Sequence, residues 1–244
     1  MSAEQLPEKI GKYSILGIAG RGAQGTVYEA HDPFVDRAVA VKVWLRDAAP
    51  GDVEEEARMR RLFFNEAQAA GNLDHPNILR VYDAGEANDQ PYIVMEFLEG
   101  SQNLRRYCSS NSLLPIGSVV GYIRDCALAL EHAHANGVIH RDIKPANIML
   151  NQQDDVKIVD FGIADRQRPD ATRLGNSYGS PRYMSPEQAR GDDLTTQTDL
   201  YSLGVVLFEL LTGRPTFDKK GVPALLYHIA YEAPPSLLSF RPDA

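Results

Sequence analysis

The chain has 244 residues, with 33 acidic against 25 basic side chains and a formal net charge of −8. That balance argues against nucleic acid as the main partner, because a phosphate backbone needs a basic footprint. Two cysteines, Cys108 and Cys126, are too few for a disulfide framework, and no run of about 18 apolar residues is present to cross a bilayer.

Residues 1–12 are polar and carry no signal-peptide pattern, so they read as a tail on a cytosolic chain. From Tyr13 to Phe97 the pattern is mainly that of strands. Tyr13-Ser14-Ile15-Leu16, Thr26-Val27-Tyr28-Glu29-Ala30 and Ala38-Val39-Ala40-Val41-Lys42-Val43 are short, rich in β-branched residues and bounded by turn formers. Residues 91–97 form another apolar strand. One helix interrupts them over about residues 53–70, with Met59, Leu62, Phe63, Ala67 and Ala70 at helical spacing and Gly71 as its stop.

After about Leu113 the pattern turns helical. Residues 116–136 are amphipathic through Val120, Ile123, Ala127 and Leu130, and Asn136-Gly137 ends the helix. Residues 198–212 are apolar on nearly every side, which predicts a helix buried at the centre of a second lobe. Gly213 and Pro215 stop it. Both cysteines fall in apolar helical surroundings and read as buried thiols. The expected division is a tail at 1–12, a first lobe at 13–97 and a second at 98–244, with a hinge near 96–101. Clefts at such junctions are common ligand sites.

Three stretches carry chemistry. Gly20-Arg21-Gly22-Ala23-Gln24-Gly25-Thr26-Val27 is glycine-rich, and glycines let backbone N–H groups approach phosphate oxygens. A ligand-free hairpin or a Rossmann turn would use the same letters. A Rossmann turn needs a helix next, whereas Thr26-Val27-Tyr28 favours a strand. Lys42 stands in an apolar strand, either at an edge facing water or buried beside a counter-charge. Glu66 lies on the apolar stripe of the first helix, an anomalous place for a carboxylate unless a cation meets it. Lys42 and Glu66 are therefore expected to pair. Finally, His140-Arg141-Asp142-Ile143-Lys144-Pro145-Ala146-Asn147 is followed by Asp160-Phe161-Gly162, which brings an acid, a lysine and two oxygen-bearing metal ligands onto two short loops.

Taken in this order, the motifs resemble the protein-kinase signature. The chain is most similar to bacterial serine/threonine protein kinases of the eukaryotic-like type, through His75-Pro76-Asn77-Ile78, Ser185-Pro186-Glu187-Gln188-Ala189-Arg190-Gly191 and Thr212-Gly213-Arg214-Pro215. The resemblance implies an α+β, bilobal protein kinase-like fold: a small β-rich lobe with one key helix, and a larger, mostly helical lobe. It implies ATP as phosphoryl donor, two Mg²⁺ ions (with Mn²⁺ as a substitute), and protein substrates with serine or threonine acceptors.

By the same resemblance, Asp142 takes the proton of the acceptor hydroxyl, and Lys144 neutralises the moving phosphoryl group. Lys42, braced by Glu66, reaches the nucleotide phosphates. Asn147 and Asp160 hold metal. Ile18, Ala19, Gly20, Gly22, Gly25, Val27, Ala40, Met95, Glu96, Leu98 and Met149 line the nucleotide site. Phe161 stacks with His140, Asp199 braces the catalytic loop, and Ser180 bridges Asp142 and Lys144. Arg141 receives a phosphate placed on Thr172 or Ser177, which would order the polar stretch 163–180. Self-association would then serve autophosphorylation.

The family pattern continues with further helices after about Arg241, and they supply an arginine to Glu187. The sequence ends at Ala244. Glu187 is therefore expected to lack its partner, and one side of the 198–212 helix to face water. The chain reads as cytoplasmic, either free or as the cytoplasmic part of a longer membrane-anchored receptor kinase. The competing reading is a pseudokinase, a nucleotide-binding scaffold with little turnover.

Overall fold

The computed structural model describes residues 6–22, 25–44, 53–161 and 181–243. Thr172, Ser177, Ser180 and Gly162 lie outside them, as do the loop-tip residues Ala23 and Gln24. Two compact units emerge. The first takes the described part of Met1–Asp74 with Leu79–Glu99, and the second takes His75–Ile78 with the described part of Gly100–Ala244.

The first unit is built on an antiparallel six-stranded sheet. Its strands are β1 (Lys9–Ile10), β2 (Tyr13–Gly22), β3 (Gly25–Asp32), β4 (Arg37–Val43), β5 (Val81–Ala87) and β6 (Gln90–Glu96), in the order β1-β2-β3-β4-β6-β5. Strand alternation sorts the side chains by face. Val39, Val41 and Val43 of β4 join Ala30, Tyr92 and Val94 in a buried apolar cluster with Ile10 and Tyr13. Ala40 and Lys42 take the opposite face. Across the sheet, Val27 is paired with Lys42 and Met95 with Ala40, so these four residues share that face. Helix α1 (Val53–Gly71) lies against β5 and β6 and buries Phe63, Glu66, Ala67 and Ala70.

Tyr13 fastens the far end of the sheet. Its buried hydroxyl donates to Asp83 Oδ2 at 2.8 Å, and its ring meets Tyr92 edge-on at 6.1 Å. Burial, then the Asp83 carboxylate, pushes the phenol far above its ordinary value.

The second unit holds helices α2 (Ile116–Ala135), α3 (Pro186–Arg190), α4 (Gln197–Thr212) and α5 (Val222–Tyr231), and a small sheet of β7 (Gln102–Asn103), β8 (Ile148–Leu150) and β9 (Val156–Ile158). Helix α4 packs on α2, and α3 on α5. The segment His75–Ile78 belongs here because Asn77 ties it to β9. Asn77 Nδ2 donates to Val156 O at 2.9 Å, and Asn77 O accepts from Ile158 N at 2.8 Å. Gly213 ends α4 with φ 66°, where a Cβ would sit 2.4 Å from Ser110 N. Only glycine fits that turn.

Three expectations need correction. Residues 1–12 are not a tail throughout: Lys9–Ile10 form β1, and Ile10 is buried in the sheet's apolar cluster. The buried stripe of α2 runs through Val119, Cys126, Ala129, Leu130 and Ala133, whereas Val120 is exposed. Two adjacent valines made the register ambiguous, and the fold buries the first. Cys108 is only half-buried, at the end of a 3₁₀ turn, where its thiol donates to Leu104 O. Beside these, Glu187, expected to lack an arginine partner, accepts a hydrogen bond from Thr198 Oγ1 at 2.6 Å. The expected open side of α4 is present in part, since Leu200 is 43% exposed while Leu203, Val206 and Leu210 are buried.

Candidate functional site

In the first unit, Lys42 Nζ lies 2.9 Å from Glu66 Oε1, and both side chains are less than a tenth exposed. The sheet makes this pair possible. Lys42 points away from the valine-lined core, toward the face that also carries Val27, Ala40 and Met95. A buried ammonium without an anion is strongly unfavourable, so Glu66 on the inward stripe of α1 is the residue that lets Lys42 stay charged there.

The glycine-rich strand pair closes at Gly22 opposite Gly25. Gly25 has φ 146°, and a Cβ there would meet Val43 O at 2.0 Å, so no other residue fits without rearrangement. Gly20 and Gly22 differ, for a Cβ on either would meet nothing within 4 Å. Space beside these two is therefore open. Ile18 and Ala19 are exposed beside them, where β2 carries register shifts. Glu96 N donates to Arg80 O at 2.9 Å, so its amide is committed within the sheet; Leu98, just past β6, is half-buried.

In the second unit the residues of the catalytic-loop motif converge. Lys144 Nζ donates to Asp142 Oδ2 at 2.5 Å. Asn147 Nδ2 donates to Asp142 O at 2.9 Å and to Asp142 Oδ2 at 3.1 Å. With its amide nitrogen turned onto Asp142, Asn147 keeps Oδ1 as its donor oxygen for a cation. Val159 N donates to Asn147 O at 3.0 Å, which sets the approach to Asp160. Asp160 (φ 63°) and Arg141 (φ 69°) both hold left-handed backbone, which the clash of Cβ with the backbone carbonyl disfavours in non-glycine residues. Strain of this kind persists only where surrounding bonds over-determine it.

For Arg141 such a bond comes from Asp199 at the start of α4. Its carboxylate is fully buried. Oδ1 accepts from Arg141 N at 2.7 Å, and Oδ2 accepts from His140 N at 2.8 Å and from His134 Nε2 at 2.7 Å. His140 is itself buried, with its ring 4.6 Å from that of Phe161. Its Nδ1 accepts from Asp142 N at 3.2 Å, so Nε2 carries the proton donated to Val159 O at 2.9 Å. Met149 sits in the middle of β8.

Sequence reasoning passed over three contributors. His134 lies two residues from His132, on a different face of α2, and gave no signal apart from being one histidine among several. Gln188 was quoted as part of a motif without a role. Tyr183 donates to Glu209 Oε2 at 2.5 Å, and burial, then that bond, raises its phenol well above the ordinary range. For Glu187, burial works against ionisation, but the Thr198 hydrogen bond and neighbouring donors prevail and hold its carboxyl below its usual value.

The donor chemistry suits a divalent hard cation held jointly with phosphate oxygens. Among the described residues no group of three or more histidine, cysteine or acidic side chains forms a metal cage. Magnesium needs none, because it leans on one or two side-chain oxygens plus nucleotide and water. Asn147 and Asp160 therefore fit that ion.

Comparison with known proteins gives a consistent picture. The family model described as the protein kinase domain matches residues 13–234. The chain is 44% identical over 226 residues to the serine/threonine-protein kinase PrkC of Bacillus subtilis, covering 92% of this chain and 34% of that protein. It is 40% identical over 234 residues to the probable serine/threonine-protein kinase PknB of Lactococcus lactis, covering 95% and 36%. The chain thus spans about a third of the length of the curated relatives it matches. Among solved structures, the PknI kinase domain of Mycobacterium tuberculosis, a cysteine-to-alanine mutant, is similar with a TM-score of 0.71 and 30% identity, over 98% of this chain and 85% of that one.

Proposed function

Because this chain belongs to the protein kinase domain family, we propose that it transfers the γ-phosphoryl group of ATP to serine or threonine hydroxyls of proteins. The observation that carries the proposal is the cluster around Asp142, where a carboxylate with Lys144 and Asn147 on it sits on a strained loop pinned by a buried aspartate.

In the reaction, the acceptor oxygen attacks the γ-phosphorus while the bond to the β–γ bridging oxygen breaks. ADP leaves with that electron pair, and the hydroxyl proton passes to the Asp142 carboxylate. Lys144 places its charge beside the transferring group. Lys42, oriented by Glu66, pairs with the nucleotide phosphates. Gly20 and Gly22 let the backbone approach the same phosphates, and Val27, Ala40, Met95 and Met149 supply apolar contacts to the base, with Ile18, Ala19 and Leu98 at its margin. Mg²⁺ held by Asn147 and Asp160 supplies charge neutralisation at the phosphate oxygens when bound. Catalysis is then mainly positioning and electrostatic stabilisation.

Serine and threonine are favoured as acceptors by Lys144 after the catalytic acid and by the names of the relatives. Thr172 and Ser177 remain the proposed sites of self-modification, with Arg141 as phosphate receptor and a second copy of the chain as the partner. Lys42, Asp142, Asn147 and Asp160 are all present, which leaves the scaffold reading without support. Among the described residues no helix is long and apolar enough to cross a membrane.

The test is to incubate the purified chain with γ-labelled ATP, Mg²⁺ and a protein acceptor, and to map the label by mass spectrometry. Label on serine or threonine, including Thr172, is the expected result. Absence of label on any protein residue would overturn the proposal.

A further inference from the structure

The peptide that carries Asp142 is held from two sides. On its N-terminal side, Arg141 N donates to Asp199 Oδ1 at 2.7 Å. On its C-terminal side, Arg141 O accepts from Gln188 Nε2, also at 2.7 Å. Between these bonds Arg141 keeps φ 69°, a conformation that is unfavourable for arginine by about 1–2 kcal/mol. The Arg141 carbonyl belongs to the same rigid peptide plane as the Asp142 N–H. Whatever fixes that carbonyl also fixes the Asp142 N–Cα bond, the base from which its side chain leaves the backbone.

Gln188 is well placed for this. It is the third residue of α3, and its side chain serves two partners at once. Its Oε1 accepts from Ser185 N at 2.9 Å while Ser185 Oγ accepts from Gln188 N at 3.3 Å, the reciprocal cap at the start of α3. Its Nε2 goes to Arg141 O. The orientation of the amide is unambiguous, because one partner is an N–H that only donates and the other a carbonyl that only accepts. A glutamate would complete the cap equally well, since both residues serve in that position. It could not donate to Arg141, and it would set a carboxylate oxygen against a carbonyl oxygen.

We infer that Gln188 is a positioning residue for phosphoryl transfer. Through the Arg141 carbonyl it holds the Asp142 peptide in the left-handed turn and so aims the catalytic acid. The inference rests on the kinase reading above and names a residue of that same site. It also links the α3 segment to the catalytic loop by one amide: when α3 shifts, the Asp142 peptide loses one of the hydrogen bonds that hold it, beside those to Asp199 and His140.

The test compares wild type, Gln188→Glu and Ser185→Ala. Three readouts are taken: thermal midpoint, kcat and KM for ATP with a serine- or threonine-bearing acceptor, and hydrogen exchange of the Asp142 backbone amide. Gln188→Glu keeps the cap, and is expected to lower the midpoint no more than Ser185→Ala does while lowering kcat about tenfold, with KM for ATP within about twofold, and speeding Asp142 amide exchange. Ser185→Ala removes the hydroxyl half of the cap but leaves the Arg141 bond. It is expected to lower the midpoint with kcat and Asp142 exchange close to wild type. Unchanged kcat and exchange in Gln188→Glu would overturn the inference. So would a fall of activity in step with the midpoint in both variants, which marks a merely structural role. Absence of transfer by wild type would sink the kinase reading instead, while the exchange comparison would still report whether Gln188 restrains the peptide.

Discussion

The Lys42–Glu66 pair and the Lys144–Asp142 pair use the same chemical groups in opposite ways. The first sits between a sheet face and α1, with side chains 6% and 8% exposed; the second lies on a loop, at 18% and 30%. Burial makes the first pair an architectural commitment, because removing either charge strands the other in a poor dielectric. Partial exposure makes the second adjustable. Its ammonium and carboxylate stay accessible to a substrate, and rigidity comes instead from Asp199, His140 and Gln188 acting on the backbone beneath. The same contrast recurs among the glycines: Gly25 is packed against Val43, whereas Gly20 and Gly22 face open space. In both cases the protein spends packing on the post and leaves the working groups uncovered.

The contrast can be broken most severely at Glu66. Glu66→Ala should destabilise the protein by about 3–5 kcal/mol in denaturant unfolding, and should lower kcat/KM as Lys42 loses its anchor. Lys144→Ala should lower kcat by about 10²-fold or more while shifting the unfolding midpoint little, because an exposed pair contributes at most about 1 kcal/mol. Equal stability losses in the two variants would erase the distinction drawn here. A smaller effect is expected at the Glu187–Thr198 bond. The Glu187 carboxyl is held below its ordinary value, so its contribution is complete above the usual carboxylate range of about pH 4.3 and is lost as pH falls through the lowered value. Thr198→Val should flatten that acid-side loss in pH-dependent unfolding curves. Smallest of all, the two thiols should resist alkylation at neutral pH. Burial, then nearby carboxylates, pushes both Cys108 and Cys126 up to about 12. Labelling of Cys126 should require unfolding, and rapid labelling of the native chain would contradict that placement.

Much of this was legible from the sequence because the informative residues break local rules. A lysine inside Val39-Ala40-Val41 and a glutamate inside an apolar helical stripe are conspicuous, and each anomaly predicted the other. Helices α1 and α2 were legible through their period, and α4 through an apolar run that leaves hardly any polar face. What escaped is what leaves no period. Strands β7, β8 and β9 have two or three residues each, too few for alternation to register. Strand β5 carries Asp83, Ala84 and Gly85 around a register shift, which masks its pattern. The Tyr13–Asp83 bond and the Gln188–Arg141 bond join residues far apart in the chain, and a hydrogen bond between distant polar groups has no sequence signature. The Thr198 hydroxyl on Glu187 went unseen for the same reason, since it reaches across from α4.

The central claim is that Asp142, on its pinned loop, performs the proton-accepting role in phosphoryl transfer. Single-turnover transfer from γ-labelled ATP to a serine- or threonine-bearing acceptor, run for wild type and Asp142→Asn at matched nucleotide occupancy, tests it most directly. Label transfer by wild type, reduced by about 10³-fold or more in the variant with ATP affinity nearly unchanged, is the predicted result. Equal rates in the two proteins would contradict it.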